Sequence, residues 1–232
     1  MAHVPFRVDF HACAPVQMDY MPTHLDGLIA WAYLQEQLAA FTKGDIDVPP
    51  NPADVDSELY RSLPLKQENG VYCTSVILPQ EILGSSTRYF TRSSDATVLA
   101  SISIEDRETR CGVIRNQSRM NKIETARGEL KTYLMQEQLC HSPVFCAYGV
   151  GEIEKVAELL HRHVYGLGKN RAKGFGSLSR IEVFADEDAL EYWKLRVLPE
   201  KAEGTVSVIT PIRPPYWNKK IAQIAYIPKS VL

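Results

Sequence analysis

No excess charge of either sign marks this chain. Its 232 residues carry 26 Lys and Arg against 28 Asp and Glu, a formal net charge of −2. The chain therefore lacks the global basic character that advertises a polyanion partner. No CxxC pair occurs among its five cysteines, Cys13, Cys73, Cys111, Cys140 and Cys146. An odd number without paired spacing argues for reduced thiols rather than a disulfide framework. Cys140, His141 and Cys146 come nearest to a metal cluster, but a fourth ligand is missing and the spacing matches no common zinc pattern. They are expected to be packing residues, and no metal or other cofactor is predicted. No apolar run reaches membrane-spanning length and no signal peptide is legible, so a soluble, cytoplasmic protein without a membrane partner is expected. Internal repeats and low-complexity tracts are absent too.

What the totals hide is segregation. From Asp26 to Glu68 there are eight acids and three bases, and from Glu182 to Glu203 seven acids and three bases. Between Arg107 and Lys131 the balance reverses, with seven bases and three acids, and from His161 to Arg180 five Lys and Arg stand with no acid at all. Two basic segments in an otherwise acidic chain form a local footprint for an anion.

The apolar periodicities give an order of elements. "VPFRVDFHA" alternates strictly and predicts a strand with one buried face. "THLDGLIAWAYLQEQLAAF" places apolar residues at helical spacing, with Thr23 as its N-cap. Residues 43–69, rich in Pro, Asp and Asn, read as a surface insertion. "GVYCTSVILP" and "ATVLASISIED" read as strands, and 124–138 as a weak helix. "PVFCAYGVG" reads as a strand, "EIEKVAELLHRHV" as a helix, and "SLSRIEVFA", "TVSVITPI" and "IAQIAYIP" as strands. This order predicts an α+β chain. It accommodates a ferredoxin-like βαββαβ core, as one decorated copy or two fused halves, better than a parallel doubly wound sheet.

The second basic segment contains "GLGKNRAKGFGSL", with glycines at 166, 168, 174 and 176 and cations at Lys169, Arg171 and Lys173. A phosphate ligand would suit it, but neither nucleotide signature fits. A Walker A loop needs a Gly-Lys pair followed by Ser or Thr, between a strand and a helix. A dinucleotide fingerprint needs its glycines at a helix N-terminus. Here the loop leaves a helix and enters a strand. The remaining readings are a backbone approached by a sugar-phosphate chain, with the three cations neutralising it, or a C-cap glycine followed by a solvated turn.

A helix running into this loop and then a strand resembles the C-terminal glycine-rich loop of the RAMP superfamily of CRISPR effector subunits, with Gly166, Gly168, Gly174 and Gly176 in the family's glycine places. "HLDGLIAWAY" is similar to that family's first helix. "IRNQSRMNKIETARGELKTY" is similar to the middle segment of the subunits that cap the 5′ end of guide RNA. Within the superfamily the chain looks most like the Cas-five-type subunit of type IV (Csf) systems. The resemblance implies a ferredoxin-like (RRM-like) core in a single domain spanning 1–232, with a basic β-hairpin thumb at 107–131. It implies binding of the 5′ handle of CRISPR guide RNA, and backbone and large effector subunits as partners, with target DNA near the handle. The acidic 43–69 insertion has no counterpart in the family.

The candidate RNA-binding set is Gly166, Gly168, Lys169, Asn170, Arg171, Lys173, Gly174, Phe175 and Gly176 in the loop, with Arg115, Arg119, Asn121, Lys122 and Arg127 in the middle segment. Arg213, Trp217 and Lys219 join it from "RPPYWNKK", where an aromatic pair among cations could stack a base or be a packed turn. No catalytic residue is expected. The alternative is a metal-independent CRISPR RNA endonuclease with His24 as general base, near Tyr20 and His11. His161 and His163 end a helix beside the loop and are expected to add to the anion site or to complement the helix C-terminus. A phosphate-binding metabolic protein is a third reading.

Overall fold

The structure, a computed structural model, describes residues 3–17, 21–54, 57–92 and 133–231. It divides into two compact units, Met1–Ser85 with Leu139–Leu232, and Ser86–Gln138. The basic segment 107–131, with Arg115, Arg119, Asn121, Lys122 and Arg127, lies outside the described residues, as do Tyr20 and the strand expected at 96–106.

The larger unit is built on strand β1, Val4–Ala12, whose alternation is the one legible in the sequence. Phe6, Val8 and Phe10 are fully buried, and the residues between them are half-buried on the other face. Strand β2 is only Val16–Gln17, and helix α1 runs Leu25–Lys43. Its N-cap is His24 rather than Thr23, and no side chain closes the cap. The reason is a backbone competitor: His24 bridges Val76, and Leu25 N–H donates to the Ser75 carbonyl at 3.0 Å. The helix start is thus tied to neighbouring chain instead of to a local hydroxyl.

Residues 43–69 are not uniformly a surface loop. The described residues from 43 to 54 are largely exposed, but a short helix α2, Glu58–Arg61, follows, and Leu59, Tyr60, Leu63 and Leu65 are buried. The single strand expected at 70–79 is broken into β4, Val71–Tyr72, and β5, Leu78–Pro79, after a short β3, Gln67–Glu68. Strand β6 is Gly84–Arg92 and β7 is Tyr133–His141. β7 takes the place of part of the helix expected over 124–138. "YLMQEQLCH" is made largely of good helix formers. Ladder pairing overrides that weak preference: Gln17 pairs Leu139 and Val16 pairs Cys140. In the second unit Thr87 Oγ1 donates to Gln138 Oε1 at 3.2 Å, and Arg88 stacks on Phe90 at 5.1 Å.

Strand β8, Val144–Gly151, leads into helix α3, Ile153–His163, the loop, and strand β9, Leu178–Ala185. The main sheet has the order β5-β8-β1-β9, antiparallel throughout. Helices α1 and α3 contribute Leu25, Leu28, Ile29, Val156, Leu159 and Leu160 to the same core as Phe6, Val8 and Phe10. Each such large side chain taken fully from water stabilises the fold by about 1.5–3 kcal/mol. Beyond a short helix α4, Ala189–Tyr192, the chain forms a hairpin of β10, Thr205–Thr210, and β11, Gln223–Pro228. Ala225 and Ile227 of that hairpin pack with Val76 and Val197 in a smaller core. The fold is therefore α+β with antiparallel sheets, and no described helix is long and apolar enough to cross a membrane.

Candidate nucleic-acid interface

The glycine-rich loop is held by backbone bonds at both ends. Gly166 bridges Ser177, Leu167 N–H donates to the Gly176 carbonyl at 2.8 Å, and Gly176 N–H donates to the Pro15 carbonyl at 2.8 Å. Its glycines divide by what surrounds them. A Cβ at Gly176 (φ +62°) would lie 2.0 Å from the Leu167 carbonyl oxygen, and one at Gly168 (φ +72°) 2.4 Å from that of Gln17. One at Gly166 would lie 3.1 Å from the Gly176 oxygen. These three let the loop close on the protein's own backbone. Gly174 (φ +87°) instead faces open space, with its N–H donating to the Arg171 carbonyl at 2.9 Å and its carbonyl accepting from Ser177 Oγ at 3.3 Å. Between them, Arg171–Lys173 forms a 3₁₀ turn, and Lys169, Arg171 and Lys173 are all exposed. Phe175 is buried, and Asn170 uses its amide to donate to Gln17 Oε1 at 2.7 Å. Arg171 lies over the ring of Trp31, 4.9 Å from its centroid. His161 bonds the Ile181 carbonyl at 2.9 Å.

A second feature joins residues far apart in the sequence. Arg196 and Asp26 form an ion pair at 3.2 Å, and neither side chain has any exposure. Such a pair survives only when its remaining donors and acceptors are satisfied. Arg196 also donates to the carbonyls of Val197, Tyr72, Thr74 and Ile212 and to the Tyr216 hydroxyl. Tyr216 donates in turn to Asp26 at 2.9 Å, and Gly27 N–H donates to the same carboxylate at 2.9 Å. Burial pushes the Asp26 carboxyl above its usual range, and Arg196 and Tyr216 draw it back. The Tyr216 ring lies against helix α1 at Gly27, where a Cβ would come within 3.1 Å of it. It stacks on His24, with centroids 4.3 Å apart. His24 is 5% exposed, and its Nε2 accepts from Val197 N–H at 3.4 Å. Burial and the neighbouring Arg196 hold its pKa well below the ordinary histidine value.

Loop and network meet at a cleft of about 520 Å³. Its lining brings together Trp31 and Gly27 of α1, Gly168 and Lys169 of the loop, and Pro214, Pro215, Tyr216 and Trp217 of the aromatic turn. Three segments far apart in sequence thus converge. Trp217 is 64% exposed, whereas Tyr216 is half-buried with its hydroxyl sealed in the network. Arg213 and Lys219 flank the turn and are exposed, and Asn218 caps the short 3₁₀ segment Lys219–Ile221. His11 points elsewhere, to Glu182 on β9 at 2.7 Å. Trp31, Asp26 and Arg196 are the residues that sequence reasoning missed. One signal existed: an acid at 26 inside the apolar run of a helix, next to Leu25 and Leu28, demands a buried partner.

The family model for the CRISPR type IV associated protein Csf3 matches residues 4–228. The chain belongs to the Csf3 family. Among solved structures it is similar to a chain of the Type III-B Cmr-beta complex bound to cognate target RNA, at 11% identity and a TM-score of 0.36. That likeness covers 79% of this chain and 61% of the other. No curated protein matches. By that family's description, this is a CRISPR-associated chain of a type IV system.

Proposed function

We propose that this chain is a non-catalytic RNA-binding subunit of a type IV CRISPR ribonucleoprotein, capping the 5′ handle of the guide RNA. The observation that carries the reading is the acid-free loop with three exposed cations, placed beside an aromatic cleft in a member of the Csf3 family. On this reading the sheet order β5-β8-β1-β9, with α1 and α3 on one core, is the ferredoxin-like βαββαβ arrangement in Cas-five-type form. The basic segment 107–131, outside the described residues, contributes Arg115, Arg119, Asn121, Lys122 and Arg127 to RNA binding on this reading. Lys169, Arg171 and Lys173 hold sugar-phosphate on the exposed turn. The backbone and large effector subunits are the protein partners, and target DNA passes near the handle.

Burial of His24 and the bond it accepts from Val197 support a structural role for it, because a general base for a 2′-hydroxyl must reach the proton it removes. The endonuclease alternative makes a separate claim, that repeat RNA is cut in EDTA and that His24→Ala abolishes the cut. The binding claim is tested by salt titration. Replacing Lys169, Arg171 and Lys173 together by Ala should weaken guide-RNA binding and lower the log–log salt slope by roughly two to three, since each lost phosphate contact removes a little under one. An unchanged slope would remove the loop from the RNA interface.

A further inference from the structure

The glycine loop accounts for phosphate, but it leaves the cleft beside it without an occupant. We infer that this cleft is a receptor for a single unpaired nucleobase of the bound RNA, inserted against the Trp217 side chain while its phosphate lies on the loop at Lys169. The inference rests on the RNA-binding reading and deepens it, because it gives one base of the chain a defined seat.

Four observations converge on that ligand. The volume of about 520 Å³ falls in the range of sites that enclose a small planar molecule. The lining is dominated by rings and apolar groups, among them Trp31, Pro215, Tyr216 and Trp217, with Lys169 as its cation. No carboxylate lines it among the described residues, since Asp26 is sealed beneath with no exposure. An anion carrying an aromatic ring therefore fits both the charge and the surface. Finally, the cleft is preorganised. Tyr216 is fixed through its hydroxyl to Asp26 and Arg196, and through its ring to His24 and Gly27. A rigid aromatic wall loses little freedom when a base stacks on it, which is how single-stranded RNA gains affinity base by base. Trp217, 64% exposed, is the ring that such a base would cover.

The test combines variants at Trp217 and in the loop with single abasic positions in the RNA. The full chain is titrated into labelled guide RNA and into copies that each lack a single base. One abasic position should weaken binding about tenfold, the scale of a stacked base. Trp217→Ala should weaken binding of intact RNA by a similar factor and leave binding to that abasic RNA unchanged. Trp217→Phe, which keeps a stacking face, should restore most of the loss. An equal effect of Trp217→Ala on intact and on every abasic RNA, or no effect on any, overturns the inference. The loop variant separates this failure from that of the parent reading. If replacing Lys169, Arg171 and Lys173 weakens RNA binding while Trp217→Ala does not, RNA binding stands and the base receptor falls. If neither changes it, both fall. Nucleoside monophosphates supply the last arm. Tight binding of one of them, as strong as that of the oligonucleotide and lost in Trp217→Ala, would assign the cleft to free nucleotides and overturn its assignment to an RNA chain.

Discussion

Arg196 and the cations of the 169–173 loop carry the same charge to opposite ends. Arg196 has no exposed surface and spends its guanidinium on Asp26, four carbonyls and the Tyr216 hydroxyl. Lys169, Arg171 and Lys173 are exposed on a turn without an acidic residue in its sequence. The first arrangement shapes the cleft through Tyr216, and the second brings one cation, Lys169, into its lining. Burial decides the role. A charge that is fully desolvated must be matched by its surroundings and becomes part of the framework. An exposed charge costs the fold little and keeps its field for an anionic partner.

The comparison breaks most sharply at Arg196. Arg196→Met leaves the Asp26 carboxylate buried without its partner, and the expected cost is about 3–5 kcal/mol, a large part of the stability of an ordinary domain. Combining it with Asp26→Leu should recover much of that loss, because a well-packed apolar pair avoids desolvation altogether. Denaturant midpoints of the wild type, both single variants and the double variant would measure this. A single-variant loss below about 1 kcal/mol would mean that Arg196 is not the framework residue described here.

How much of this was legible beforehand follows from the same contrast. Local signals carried far: strict alternation marked Val4–Ala12, helical spacing marked α1 and α3, and composition marked the acid-free loop. What failed was non-local. Arg196 lies in the acidic segment 182–203, where a residue count makes it look like a solvated base; only the return of the chain past Asp26, Tyr72 and Ile212 makes it internal. The helix formers of 133–138 became a strand because other strands paired with β7. Leu59, Tyr60, Leu63 and Leu65 were hidden by the Pro- and Asp-rich stretch before them. For the glycines, spacing could not tell Gly176, closed on Leu167, from Gly174, which faces open space.

A middle-sized effect comes from His24, which stands between the two regimes as a titratable ring within the framework. Its folded-state pKa is depressed, by burial first and by Arg196 second, whereas in the unfolded chain it protonates near the ordinary value of about 6.5. Below that pH the unfolded state binds the extra proton and the folded state does not. Stability contributed by neutral His24 is therefore present above pH ~6.5 and is lost as pH falls towards the folded-state value, at up to about 1.4 kcal/mol per pH unit. His24→Phe keeps a ring against Tyr216 and removes the titration, so its stability should fall less steeply between neutral pH and pH ~5. Unfolding free energies across that window would show parallel curves for the two proteins if His24 were protonated in the fold.

The smallest effect sharpens the comparison, because Arg171 shares features of both regions. It is exposed like its neighbours in the loop, yet its guanidinium lies 4.9 Å from the Trp31 centroid, and Trp31 lines the cleft. An exposed cation over an indole stabilises by about 0.5–1 kcal/mol. Arg171→Ala should therefore cost that much in unfolding free energy, while Lys169→Ala and Lys173→Ala should stay within about 0.5 kcal/mol of wild type. Arg171→Lys separates charge from stacking. A lysine keeps the positive charge for phosphate but lacks the planar face that matches an indole. It should retain most of the salt dependence of RNA binding and lose part of the stability. If all three alanine variants proved equally neutral, the contact with Trp31 would contribute nothing to the fold, and Arg171 would belong wholly to the ligand-facing group.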